Sequence, residues 1–132
     1  MPKTTKKERA ERCVLIEMIL GIQAHLAARD DSTNLLVVMM AIRLGVYQER
    51  PMDISALAVA TSMPRTSVIR HVKELEARGR IKLITIGRRS VPLLELTDDR
   101  TVDNFYKHVR LLVIKASANL SRLDSSRDGN KQ

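Results

Sequence analysis

The apolar positions fall into blocks with helical or strand-like spacing. From about Lys7 to Ala28, Val14, Met18, Ile22 and Leu26 recur every fourth residue, with Leu15 and Ile19 beside them. That period predicts an amphipathic helix of roughly 33 Å, at 1.5 Å per residue. It is long for a small domain, and its stripe needs a partner. "RDDST" breaks it. A second helix is predicted from about Asn34 to Leu44, with Thr33 as N-cap and Gly45 as C-cap. It is apolar nearly all round, as a central core helix is.

After "VYQERPM", Asp53 is placed to cap a short helix, "ISALAVATS", with Ile54, Leu57 and Ala58 facing inward. A tight turn leads to "MPRTSVIRHVKELEARGRI". There Val68, Val72 and Leu75 share one face, Pro64 suits the first turn and Gly79 suits the C-terminal end. Two short helices joined by such a turn form a helix-turn-helix pattern. "IKLITIGRRSVPLLEL" follows: two branched-aliphatic runs, Ile81–Ile86 and Val91–Leu96, are broken at Gly87. This predicts a β-hairpin with Arg88 and Arg89 at its tip, and Pro92 favours a sheet edge. Thr97 as N-cap, with Asp98 and Asp99 in the first turn, opens a last helix. Its stripe is Val102, Phe105, Tyr106, Val109, Leu112, Val113, Ala116, Leu120 and Leu123. The predicted class is mainly α with a small β-hairpin, and helix-turn-helix followed by hairpin is the order of a winged helix.

Charge sharpens this picture. The 132 residues carry a net charge of +8, which points to a polyanionic partner. Residues 64–90 hold +6 of it, against +2 for 1–28, −1 for 29–63 and +1 for 91–132. With Val68, Val72 and Leu75 turned inward, Thr66, Arg70 and Lys73 point outward and Ser67 flanks them. Arg65 and Thr66 lie in the first turn, the part of such a helix that reaches base edges in a major groove. Arginine can donate two hydrogen bonds to guanine, and Ser or Thr can reach bases or phosphates. The ordinary alternative is a solvated charged face. Arg88 and Arg89 would reach the minor groove or flanking phosphates; otherwise they are a solubilising edge. Arg78, Arg80 and Lys82 would meet backbone or solvent. Only three aromatic residues are present, which disfavours a base-stacking platform for single strands.

The stretch Leu57–Ile81 resembles the core of the MarR family of bacterial transcription regulators. The matching residues are Leu57-Ala58, Met63-Pro64-Arg65-Thr66, Val68 and Leu75-Glu76-Ala77-Arg78-Gly79, with the arginine-bearing hairpin tip and Leu96-Thr97-Asp98 beyond it. The likeness extends over about residues 7–123. Ser62 stands where the family usually has glycine, and the hairpin lacks the usual Asp before its arginine pair. The resemblance implies a winged helix-turn-helix with long N- and C-terminal dimerisation helices. It implies a homodimer that binds a pseudo-palindromic double-stranded operator, acting as a repressor. The stripes over 7–28 and 98–123 agree, since one small lobe cannot cover them; packing on each other in a monomer is the other reading. The organisation expected is a disordered basic tail over 1–6, a single domain over 7–123 with its DNA-binding lobe at 33–97, and a polar tail over 124–132.

Other chemistry is sparse. His71 lies at the edge of the buried face, His25 and His108 stand isolated, and the single cysteine cannot complete a thiolate site, so no metal and no cofactor is expected. No catalytic constellation appears, and an enzyme is not expected. Some relatives by resemblance sense oxidants through a cysteine early in the first helix. Cys13, near Arg9 and Arg12, is the redox-sensing candidate; its plainer reading is a small apolar residue at a dimer seam. A small-molecule effector is common in the family, but no residue here specifies one. The lone cysteine, the poor match of the N-terminus to a signal peptide and the short apolar runs fit a cytoplasmic protein with no membrane partner. Two rival readings remain open: a winged-helix protein of replication or plasmid partition, and a protein-interaction module.

Overall fold

The computed structural model describes residues 3–29, 31–95, 100 and 102–129, with side chains through 125. The elements run α1 (Lys6–Ala27), α2 (Thr33–Tyr47), α3 (Ile54–Thr61), α4 (Arg65–Ala77), β1 (Ile81–Ile86), β2 (Arg89–Leu94) and α5 (Asp103–Gly129). This is the mainly helical architecture with one hairpin that the apolar spacing predicts. The chain divides into two units, Met1–Arg29 with Thr101–Gln132, and Asp30–Arg100.

In the first unit α1 packs along α5. Val14 and Met18 of α1 line a small pocket together with Leu112 and Ala116 of α5, so the four-residue stripe faces the partner helix. A Cβ on Gly21 would come within 2.9 Å of the Leu112 side chain, so the small residue lets the two helices approach. Sequence spacing places the last helix from Asp98. The observed helix starts at Asp103 and runs on to Gly129, through the first part of the expected polar tail. Thr97, Asp98 and Asp99 lie outside the described residues. Among the described residues no helix is long and apolar enough to cross a membrane.

The second unit is built around α2. Leu35, Val38, Met39 and Ile42 form one core with Leu57 of α3, Val68, Val72 and Leu75 of α4, and Ile81 and Leu94 of the hairpin. Two predicted caps of α2 are corrected. Ser32, not Thr33, is the N-cap, and its Oγ accepts from the Leu35 N–H at 3.2 Å. Gly45 is inside the helix, which continues to Tyr47. Glycine is there for space: a Cβ would lie 3.0 Å from the Arg50 carbonyl oxygen and 3.2 Å from the Met52 nitrogen. The connection folds back against α2 at this point, with the Arg50 N–H donating to the Gly45 oxygen at 2.8 Å.

The turn between α3 and α4 hinges on Ser62, which adopts φ 56°, ψ 34°. This is the left-handed region, where glycine is the easy occupant. Ser62, where the resemblance leads one to expect glycine, thus takes up a conformation that glycine adopts easily. The hairpin is also tighter than predicted. Its pairs run from Ile81 opposite Leu94 to Ile86 opposite Arg89, leaving a two-residue turn of Gly87 and Arg88. Gly87 has φ 62°, and Arg88 is not among the positive-φ residues, which is the pattern of a type II′ turn. The return strand thus begins at Arg89 rather than Val91 and ends at Leu94. Pro92, opposite Leu83, is tolerated because each strand of a two-stranded sheet has an open edge.

Candidate functional site

The basic residues singled out by the sequence converge only in part. A cleft of about 400 Å³ opens between the start of α3, the outer side of α4 and the hairpin tip. Its wall carries Arg65 and Lys73 from α4, Arg88 and Arg89 from the hairpin, and Asp53 and Ser55 from the start of α3. The apolar floor is Ile69, Val72 and Leu83. Thr66 and Arg70 are exposed on α4 but do not line the cleft, and Ser67 is half-buried. Arg88 sits in the turn; Arg89 is the first residue of β2.

Three features give this surface its chemistry. The first is the N-terminus of α4. The three helices before it each have a side-chain cap: Thr5 Oγ1 takes the Glu8 N–H at 3.0 Å, Ser32 Oγ that of Leu35, and Asp53 Oδ1 that of Ala56 at 2.9 Å. Pro64, the N-cap of α4, offers no such bond. The positive end of this helix is therefore left without a side-chain acceptor, an arrangement that favours an anion.

The second feature is how the arginines are held. Arg65 Nη1 donates to Ser55 Oγ at 2.5 Å, and Arg89 Nη1 lies 3.5 Å from Asp53 Oδ2. Spacing identifies Asp53 only as a cap and does not identify Ser55 at all. Lys73, Arg88 and Arg70 make no ion pair with the described residues. Their charge is presented to solvent.

The third feature is a correction. Arg78 and Arg80, expected to meet DNA backbone or solvent, are paired with an acid of the protein itself. Both donate to Asp31, Arg80 at 2.9 Å to Oδ2 and Arg78 to Oδ1, while Arg78 Nη2 also reaches Glu74 Oε1 at 2.6 Å. These cations tie the end of α4 to the start of α2. Burial by itself would raise the Asp31 carboxyl; the hydrogen bonds and charges of Arg78 and Arg80 outweigh it and hold the group below the usual carboxylate range. The folded-state value is thus depressed, so the stabilisation is present above the unfolded-state value of about 4 and is lost as pH falls through the lower folded one. Asp31→Asn removes this charge at every pH. The stability difference between parent and variant, read from urea midpoints, should be largest near neutrality and close progressively below about pH 4; a difference that stays constant into acid would refute the assignment.

The remaining candidates are dispersed. His71 is buried on the inner side of α4, and neither ring nitrogen has a hydrogen-bond partner among the described residues. His25 and His108, isolated by sequence, are brought together across α1 and α5 with ring centroids 4.5 Å apart. No group of three or more His, Cys, Asp or Glu that could hold a metal occurs among the described residues. Cys13 is exposed on α1, and the neighbouring Arg9 is committed to Thr4, donating to its carbonyl oxygen at 2.5 Å.

No protein-family profile matches the chain, and no curated protein sequence does. Solved structures do. MepR, a transcription regulator of the Staphylococcus aureus multidrug efflux pump MepA, superposes with a TM-score of 0.65 at 16% identity, over 91% of this chain and 88% of that one. The transcriptional regulator Tm0710 from Thermotoga maritima gives 0.61 at 18% identity, over 94% and 87%. A MarR family protein from Bacillus stearothermophilus gives 0.51 at 12%, over 88% and 75%. The chain has the MarR fold. Within that fold the α3-turn-α4 segment is the helix-turn-helix, and β1 with β2 is the wing. The cleft lies between the second helix of the MarR motif and its wing.

Proposed function

We propose that this protein is a sequence-specific regulator of transcription that binds double-stranded DNA. It acts as a homodimer on a pseudo-palindromic operator and represses by occupying it. The observation that carries the reading is the convergence of Arg65, Lys73, Arg88 and Arg89 on one cleft beside the uncapped start of α4. A helix end and a hairpin tip that are both cationic match the two contacts a winged helix makes with a duplex, one in the major groove and one along the backbone or minor groove. A dimer would set two such helices about 34 Å apart, in successive major grooves. DNA binding of this kind places the protein in the cytoplasm, with the chromosome.

The test begins with selection of bound fragments from the source genome, which returns operator symmetry and neighbouring genes together. Fragments confined to a replication origin or a partition locus would move the reading to that class of winged-helix protein. Against a selected fragment, Arg65→Ala should lose about 1–3 kcal/mol of binding, measured by anisotropy, with the dimer intact by sedimentation. Unchanged affinity would remove α4 from the recognition role.

A further inference from the structure

The geometry points to Asp53 as a specificity-determining residue: it keeps the wing arginine Arg89 neutralised against arbitrary DNA and yields it to a fitted site. This rests on the duplex-binding reading above. The carboxylate is divided between two tasks. Oδ1 accepts the Ala56 N–H at 2.9 Å and closes the start of α3, while Oδ2 faces Arg89 at 3.5 Å. The Asp53 side chain is 21% exposed and that of Arg89 73% exposed. The acid is thus fixed by the backbone it caps, and the arginine is the part free to move.

Two residues further on, Ser55 holds Arg65 through a neutral hydroxyl. Both guanidiniums stay charged, but that of Arg65 meets a neutral partner while that of Arg89 faces a compensating carboxylate. Among the described residues lining the cleft, Asp53 is the only acid, set against four cations. A phosphate that captures Arg89 must detach it from Asp53 and leave a carboxylate facing the polyanion. An arbitrary backbone contact exchanges one ion pair for another and gains little. A groove that fits the wing offers the guanidinium several acceptors at once, and its five N–H donors can use them. The repulsive element weighs more on the wrong duplex than on the right one, which is how discrimination is made from affinity differences.

The experiment compares D53N with the parent protein on the selected fragment and on a scrambled duplex of equal length, across a salt series. Asparagine caps a helix as well as aspartate, so α3 is retained. On the scrambled duplex, affinity should rise about two- to five-fold, the range of an exposed ion pair. The slope of log affinity against log salt should steepen by about 0.9 as Arg89 takes up one phosphate. On the selected fragment the affinity should change less and the slope should stay the same, so the ratio between the two falls. In the double variant D53N/R89A the gain should vanish. Equal gains on both duplexes, losses on both, or a gain that survives without Arg89 would each overturn the assignment. If D53N does not fold, D53S, which also supplies a cap, is read in its place. A parent protein that ignores duplexes altogether sinks the binding reading itself; a parent that discriminates, with the ratio unaltered in D53N, sinks only the role of Asp53.

Discussion

The double variant Leu20→Asp, Leu111→Asp is expected to convert the protein from dimer to monomer and to weaken operator binding by about 10²- to 10⁴-fold. Leu15, Ile16, Ile19 and Leu20 of α1, and Leu111, Val113 and Ile114 of α5, stay exposed although the two helices pack together; Leu20 and Leu111 are each 62% exposed. Apolar residues gathered in this way on a free chain mark an interface. A second copy of the same stripes is the occupant we propose, because these helices have more apolar surface than their mutual contact covers. An aspartate at each site would put uncompensated charges into that seam, where desolvation opposes them. The loss of affinity arises because two linked lobes engage two half-sites with a high effective concentration, which separate lobes lack. The readouts are sedimentation velocity and titration of full-site against half-site DNA. Half-site affinity should be preserved, since Asp30–Arg100 is a unit with its own core. A variant that remains dimeric would show that the partner contact lies elsewhere.

Leu57→Ala is expected to destabilise the helix-turn-helix unit by about 2–5 kcal/mol, the range for a large-to-small change in a packed core. Leu57 is fully buried where α3 meets Val68, Val72 and Leu75. Its side chain holds the first helix of the motif against the second, so the cavity left behind falls at the joint that aims α4. Total stabilities of small domains are about 5–15 kcal/mol, and the variant loses a large share of that. Val59, two residues along the same helix, is 81% exposed, and Val59→Ala should stay within about 0.5 kcal/mol of the parent. Urea unfolding of the pair separates the two positions. Equal effects would mean that α3 is not seated as described.

The division between sequence and structure follows the range of the forces. Local, periodic information is enough to orient α4: Val68, Val72 and Leu75 return to one side every three to four residues, so Arg65, Arg70 and Lys73 must lie elsewhere on the cylinder. The same holds for the cap at Asp53, which involves a residue only three positions away, and for the concentration of charge over residues 64–90. The two aliphatic runs broken at Gly87 give the wing, the resemblance carried by Leu57–Ile81 adds the two-fold expectation, and the winged helix is the fold observed.

Helix ends are less legible, because neighbouring polar residues compete for the same donors. Ser32 and Thr33 are both acceptable caps by type, and Gly45 looks like a terminus until the returning Arg50 and Met52 show that it clears space for them. Pairings between distant elements are not legible at all. Asp31 reaches Arg78 and Arg80 across 47 and 49 residues, Asp53 reaches Arg89 across 36, and His25 meets His108 from another helix. By itself the sequence determined which surface is basic and which way it faces, since helical periodicity and charge are properties of a segment. Only the tertiary structure decided which of those cations are already spoken for, since an ion pair depends on where two separate segments are brought by the packing of the core between them.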